Sequence, residues 1–147
     1  MKIILDTNIV FSALLNTNSQ IADVLMNSKN IFEFYSSDYL RYELLKHQNK
    51  ILNISKLSEI DLKEAEFRIF KHIDFINIEI INLEIWEQSY QIVKAIDLND
   101  IEFIALAIYL DAAIWTGDKK LYNGLKSKNF NSVLNTQELI EYKRNQL

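Results

Sequence analysis

Short apolar runs that alternate with stretches of helical periodicity constrain this chain more than any other feature. Lys2-Ile3-Ile4-Leu5, residues 75–81, Ala112-Ala113-Ile114-Trp115-Thr116 and Ser132-Val133-Leu134 read as strands, and Ile31-Phe32-Glu33-Phe34-Tyr35 alternates like one. Between them lie helical segments. Residues 9–15 and 21–26 form two short pieces, and Ser36-Ser37-Asp38 offers N-cap residues for a helix reaching about Asn49. Ser58 caps a further helix within 57–72, and residues 83–96 are amphipathic through Ile85, Trp86, Tyr90 and Val93. Asp97-Leu98-Asn99-Asp100 opens a helix whose body, residues 103–110, is apolar nearly all round and therefore buried. A last helix starts at Gln137. Strands joined through helices need crossover connections, which gives parallel pairing with helices on both faces. The expected fold is α/β, with three α/β/α layers around a central parallel sheet of four to five strands. No linker-like tract interrupts the chain, so residues 1–147 read as one domain.

Composition removes several chemistries. The chain has no cysteine, which excludes disulfides, thiolate zinc sites, iron-sulfur clusters and a cysteine nucleophile, and suits a reducing cytosol. Its two glycines, Gly117 and Gly124, cannot build a Walker loop or a GxGxxG turn. With only His47 and His72 as imidazoles, a metal site must rely on carboxylate oxygens, which favours Mg²⁺ or Mn²⁺ over zinc or copper. No segment approaches the ~20 apolar residues of a membrane span, and an acid at position 6 interrupts the start where a signal peptide would continue apolar. A soluble cytoplasmic protein with no membrane partner is expected. The net charge of −4 argues against indiscriminate coating of nucleic acid.

In a parallel α/β sheet, ligands collect beyond the carboxyl ends of the strands. Asp6 follows the first strand directly and Asp118 follows the 112–116 strand by two residues, so both carboxylates arrive at one edge. Either acid also has an ordinary use as a turn or helix cap. Asp97 and Asp100 fit a capping arrangement with Asp97 as the cap, which frees Asp100 to face the same edge. Glu102 is read as pointing elsewhere, into solvent. Glu43 borders the stripe formed by Leu40, Leu44 and His47, and is either paired with His47 or recruited to a site.

Taken in order, the acids follow strand one, fall mid-helix after strand two, open a buried helix, and follow the next strand. The stretches IILDTNIVFSALL, SSDYLRYELLKH, DLNDIEFIALAIYLDAAIWTGDKKL and SVLNTQELI resemble the PIN-domain family of metal-dependent ribonucleases, especially the toxin halves of bacterial toxin-antitoxin pairs. The resemblance spans essentially the whole chain. Carried over position by position, it implies an acidic site at Asp6, Glu43, Asp100 and Asp118, with Asn8 and Thr116 as hydrogen-bonding supports. Similar proteins often read DPDD where this chain reads DLND, so Asn99 replaces an acid and Asp100 is left as the metal-facing candidate.

The implied reaction is hydrolysis of RNA phosphodiester bonds with Mg²⁺ or Mn²⁺, in which Asp6 and Asp100 are the principal ligands and Asp118 and Glu43 complete the site or position water. One or two ions, about 3.5–4 Å apart if two, would activate the water and stabilise the departing oxygen. Lys119 and Lys120, with Lys126 and Lys128, are candidates for holding phosphate, or else a solvated lysine-rich loop. The aromatic residues read as core or strand, with no base-stacking platform among them. The resemblance further implies an antitoxin protein and a homodimer as partners. A dehalogenase-type phosphatase would need an acid at Asn8, and a phosphoacceptor receiver domain would need paired acids at the first strand's end. A non-catalytic RNA- or protein-binding module of the same fold is the remaining alternative. Charge is uneven along the chain: residues 74–111 carry eight acids and one base, whereas 112–147 carry three acids and six bases. An acidic, cation-filled pocket with lysines at its rim fits that division.

Overall fold

A computed structural model describes all residues, 1–147. Five strands, β1 (Lys2–Leu5), β2 (Glu33–Ser37), β3 (Ile73–Ile76), β4 (Ala113–Trp115) and β5 (Val133–Leu134), pair in parallel in the order β3-β2-β1-β4-β5. Nine helices join and flank them: α1 (Thr7–Leu15), α2 (Gln20–Met26), α3 (Tyr39–Lys46), α4 (Gln48–Ser55), α5 (Glu59–Phe70), α6 (Leu83–Val93), α7 (Ile101–Leu110), α8 (Lys119–Ser127) and α9 (Thr136–Gln146). The chain lays strands outward from β1 through β2 to β3, then returns past β1 to add β4 and β5 on its other side. At such a reversal the connections leaving β1 and β4 diverge, and a crevice opens beyond their carboxyl ends.

Period-two alternation within the strands explains the layers. Ile3 and Leu5 face one core with Phe34, Trp115 and Ile73, under α1, α2, α4 and α5. Ile4 faces the other core with Ile114 and Val133, under α6, α7 and α8. Both faces of the sheet are covered, as all-parallel sheets require. Trp115 is fully buried and still satisfies its indole N–H, which donates to Thr136 Oγ1 at 3.0 Å. Of α7, residues Ile104 to Ala107 are buried, in line with its apolar sequence, although Tyr109 emerges at the surface. No helix is long and apolar enough to cross a membrane.

The structure departs from the sequence reading in three places. β2 begins at Glu33 and includes Ser36 and Ser37, which therefore do not cap a helix; the Ser37 hydroxyl instead accepts the Tyr39 N–H at 3.1 Å across the turn. The helix expected to reach Asn49 divides at His47, whose ψ of 15° ends α3 and starts α4 in a new direction. Residues 75–81 are not one strand. β3 stops at Ile76, paired with Ser37, the last residue of β2, and beyond it there is no partner to pair with. Asn77 then accepts the Glu79 N–H at 2.9 Å and turns the chain into a 3₁₀ turn at Ile78–Ile80. With glycine so scarce, the left-handed residues that close α4 and α7 are Lys56 (φ 63°) and Asp111 (φ 52°).

Candidate functional site

Asp6 stands at the reversal point. Its backbone N–H continues the β1–β4 pairing by donating to the Trp115 carbonyl at 3.1 Å, which fixes the carboxyl group against β4. The side chain is only 4% exposed, and each oxygen has a donor: Oδ1 takes the Asn8 N–H at 3.1 Å as the N-cap of α1, and Oδ2 takes the Thr116 hydroxyl at 2.7 Å. Burial pushes the Asp6 carboxyl above its ordinary range, the hydrogen bonds from Thr116 and Asn8 pull it back, and repulsion from Asp118 adds to the rise.

Thr116 links two acids. While donating to Asp6, its Oγ1 accepts the backbone N–H of Asp118 at 3.0 Å, so one buried hydroxyl holds both the Asp6 carboxylate and the turn that carries Asp118. Asp118 in turn caps α8, its Oδ1 accepting the N–H groups of Lys120 at 2.9 Å and Leu121 at 3.3 Å. A carboxylate at a helix N-terminus is stabilised by the unpaired N–H groups and the helix dipole.

Asp100 lacks such support. Asp97 caps a short 3₁₀ turn, Leu98–Asp100, by accepting the Asn99 N–H at 3.0 Å, and α7 starts only at Ile101. Asp100 occupies the N-cap position of α7 without a side-chain capping bond. Its carboxyl is pushed up to about 7, first by burial and then by the charges of Asp6, Asp97 and Asp118, against a smaller opposing effect of Lys120. The same set of interactions establishes that Asp6, Asp100 and Asp118 share one electrostatic field, with Lys120 at its edge.

These acids open into a cleft of about 790 Å³ whose walls include Asp6, Asn8, Glu43, Asp100 and Glu102. Of the residues expected at the site, Asp6, Asn8, Glu43 and Asp100 line the cleft, Thr116 lies buried behind Asp6, and Asp118 flanks it. Asn8 acts through its backbone N–H. Lys119 and Lys120 are exposed at the first turn of α8, and only Lys120 is near enough to influence Asp100. Lys126 instead rests its ammonium group on the Tyr122 ring, 5.4 Å from its centroid. His47 is exposed and sets its ring edge-on to Phe11 at 6.0 Å.

Glu102 corrects the sequence reading. Rather than turning to solvent, it is half-buried on the cleft wall, and its carboxyl is raised by burial, then by Glu43 and Asp38. The error follows from placing Asp100 within the helix: it is instead the non-helical N-cap of α7 (φ −94°, ψ 6°), and Glu102, in the first turn that follows, comes near Glu43 and Asp38. No local sequence signal marks where α7 begins.

A cation in this cleft could draw oxygen from Asp6 and Asp100, with Asp118 beside them, although no three acidic or histidine side chains already converge as a closed cage. Mg²⁺ suits such an arrangement because it keeps several waters and commonly binds through one or two carboxylates. No curated protein matches the chain. A family model does, the PIN domain, over residues 4–140, a span that begins within β1 and ends within α9 and so contains every strand end and acid described above. On that match the chain belongs to the PIN-domain family, whose members are generally nucleases.

Proposed function

We propose that this chain is a Mg²⁺- or Mn²⁺-dependent endoribonuclease and the toxin component of a type II toxin-antitoxin pair, with RNA, an antitoxin protein and a second copy of itself as partners. The observation that carries the enzymatic reading is the juxtaposition of Asp6, Asp100 and Asp118 at the crevice beyond β1 and β4, with the Asp100 carboxyl pushed up to about 7 by burial and then by the charges of its acidic neighbours. A site that strains to keep a carboxylate charged gains most from a divalent cation. The family match supports nuclease chemistry, and the resemblance of the four sequence stretches to toxin ribonucleases supports the RNA substrate and the antitoxin.

In this reading Asp6 and Asp100 hold the ion, and Asp118, oriented by its α8 capping bonds, completes the set. When bound, the ion supplies a water acidified toward neutral pH and a charge that stabilises the departing oxygen. Thr116 fixes the Asp6 carboxylate so that its oxygens do not rotate, and Glu43, across the cleft, orients the attacking water. Glu102 beside it adds negative charge that repels a second phosphate from that wall. The test is cleavage of single-stranded and structured RNA by the purified protein in Mn²⁺, its loss with chelator, and its loss in Asp6→Asn. Cleavage that persists in Asp6→Asn overturns the assignment. A neighbouring reading frame for a DNA-binding antitoxin, with growth arrest on expression that the antitoxin relieves, tests the toxin role separately.

A further inference from the structure

The cleft continues beyond the acids into a groove between α1 and α4, and its lining changes character there. From α1 come Asn8, Phe11 and Leu15; from the α3–α4 break and α4 come His47, Lys50 and Ile54. Both rows have the spacing i, i+3, i+7, which places each along one helix face, so two helical rows form opposite walls. The groove is apolar at its base and cationic at its rim: the Lys50 ammonium lies 5.9 Å from the Phe11 centroid, and the His47 ring stands 71° to the Phe11 plane. The two basic side chains of the cleft, His47 and Lys50, both belong to this part of it, with Glu43 one helical turn before His47. His47, at the joint between two helices, makes no side-chain capping bond and is free to meet a ligand.

We propose that this groove is a nucleotide subsite in which the base neighbouring the scissile phosphodiester packs on the Phe11 ring beside His47, and Lys50 takes its phosphate. The inference rests on the RNA-cleaving reading and adds to it the residues that seat the substrate. A nucleotide joins a flat ring to an anionic phosphate, and the groove offers an aromatic face and a cation within one contact of each other. Phe11 lies five residues along α1 from Asp6, about 7.5 Å at 1.5 Å per residue, so the seated base is adjacent to the acids without touching them.

The experiment measures cleavage by the wild type, Phe11→Leu, Phe11→Tyr and Lys50→Gln on a set of short single-stranded RNAs in Mn²⁺. The same RNAs are titrated in chelator by fluorescence anisotropy, so that binding is read without turnover. Loss of one base stack should raise KM and Kd for Phe11→Leu roughly 5- to 100-fold, with the larger effect on KM than on kcat, and Phe11→Tyr should restore both. Lys50→Gln should weaken binding and lower the slope of log Kd against log salt by about 0.7. Thermal melts of Phe11→Leu and Lys50→Gln within a few degrees of the wild type exclude a merely structural effect. If Phe11→Leu and Lys50→Gln bind and cleave as the wild type does, the subsite is overturned, the ribonuclease reading stands, and the groove is left as a seat for a protein segment. If the wild type cleaves no RNA, the ribonuclease reading falls; weaker chelator-phase binding by Phe11→Leu would then still support the groove as an RNA seat, and equal binding would overturn it.

Discussion

Two kinds of carboxylate meet at this cleft, and they differ in what the chain does for them. Asp6 and Asp118, at the ends of β1 and β4, each cap a helix and accept two hydrogen bonds from the protein. Asp100, at the entry to α7, occupies a cap position and accepts none. The first pair has part of its charge compensated by fixed N–H and O–H groups. Asp100 faces burial and three neighbouring acids with only Lys120 to offset them, which is why its carboxyl rises to about 7. Acids that fold the chain and an acid that awaits a counter-charge thus sit side by side.

Catalysis should show the largest effect and treat the two kinds alike. Asp6→Asn and Asp100→Asn should each lower metal-dependent RNA cleavage by roughly 10²–10³-fold, the range seen when one preorganised electrostatic group is removed. Retention of activity by either variant in a steady-state cleavage assay would separate that residue from the reaction.

Stability should then divide them. Thr116→Val keeps shape but removes the hydroxyl that serves both Asp6 and Asp118, leaving buried groups unpaired at a cost of about 1–3 kcal/mol in urea unfolding. Asp118→Ala loses the α8 cap, a cost of about 1 kcal/mol by the same measurement. Asp100→Asn should go the other way. Between 3.8 and about 7 the folded chain keeps a proton on Asp100 that the unfolded chain has released. The stability linked to that proton is complete below 3.8, declines as pH rises, and is gone above about 7. In chelator, Asp100→Asn should therefore melt a few degrees above the wild type at pH 8, with the advantage shrinking toward pH 4; the half-exposed position keeps the gain small. A lower Tm for Asp100→Asn at pH 8 would erase the contrast.

A cation should reverse it. Millimolar Mn²⁺ should raise the wild-type Tm, more at pH 8 than at pH 6 because protonated Asp100 cannot bind, and the rise should vanish in Asp6→Asn or Asp100→Asn. Smallest of all is Gly117→Ala, in the turn that joins β4 to α8 between Thr116 and Asp118. Its φ is not left-handed and a Cβ there would meet nothing within 4 Å, so unfolding should change by less than about 0.5 kcal/mol.

Element order was legible because each strand and helix announces itself locally: an apolar run such as Lys2–Leu5 has few alternatives, and Ser58 before a helical period marks a start. Residues 75–81 misled because β-branched content reports a preference, whereas a strand also needs a partner, and β2 ends at Ser37. Glu102 misled because a short 3₁₀ turn, Leu98–Asp100, moves the start of α7 to Ile101.

The sequence by itself determined that acids would stand at the ends of β1 and β4, because strand order, strand ends and turn residues are encoded within a few positions of one another. It also determined that any ion here must rely on oxygen, since there is no cysteine to offer sulfur and only two histidines in the chain. Only the tertiary structure decided which acid carries the repulsion, that Glu102 joins the wall, and that Phe11, His47 and Lys50 converge across two helices. Those properties depend on distance through space and on the exclusion of water, and the residues that set them lie up to 110 positions apart, as Asp6 and Thr116 do.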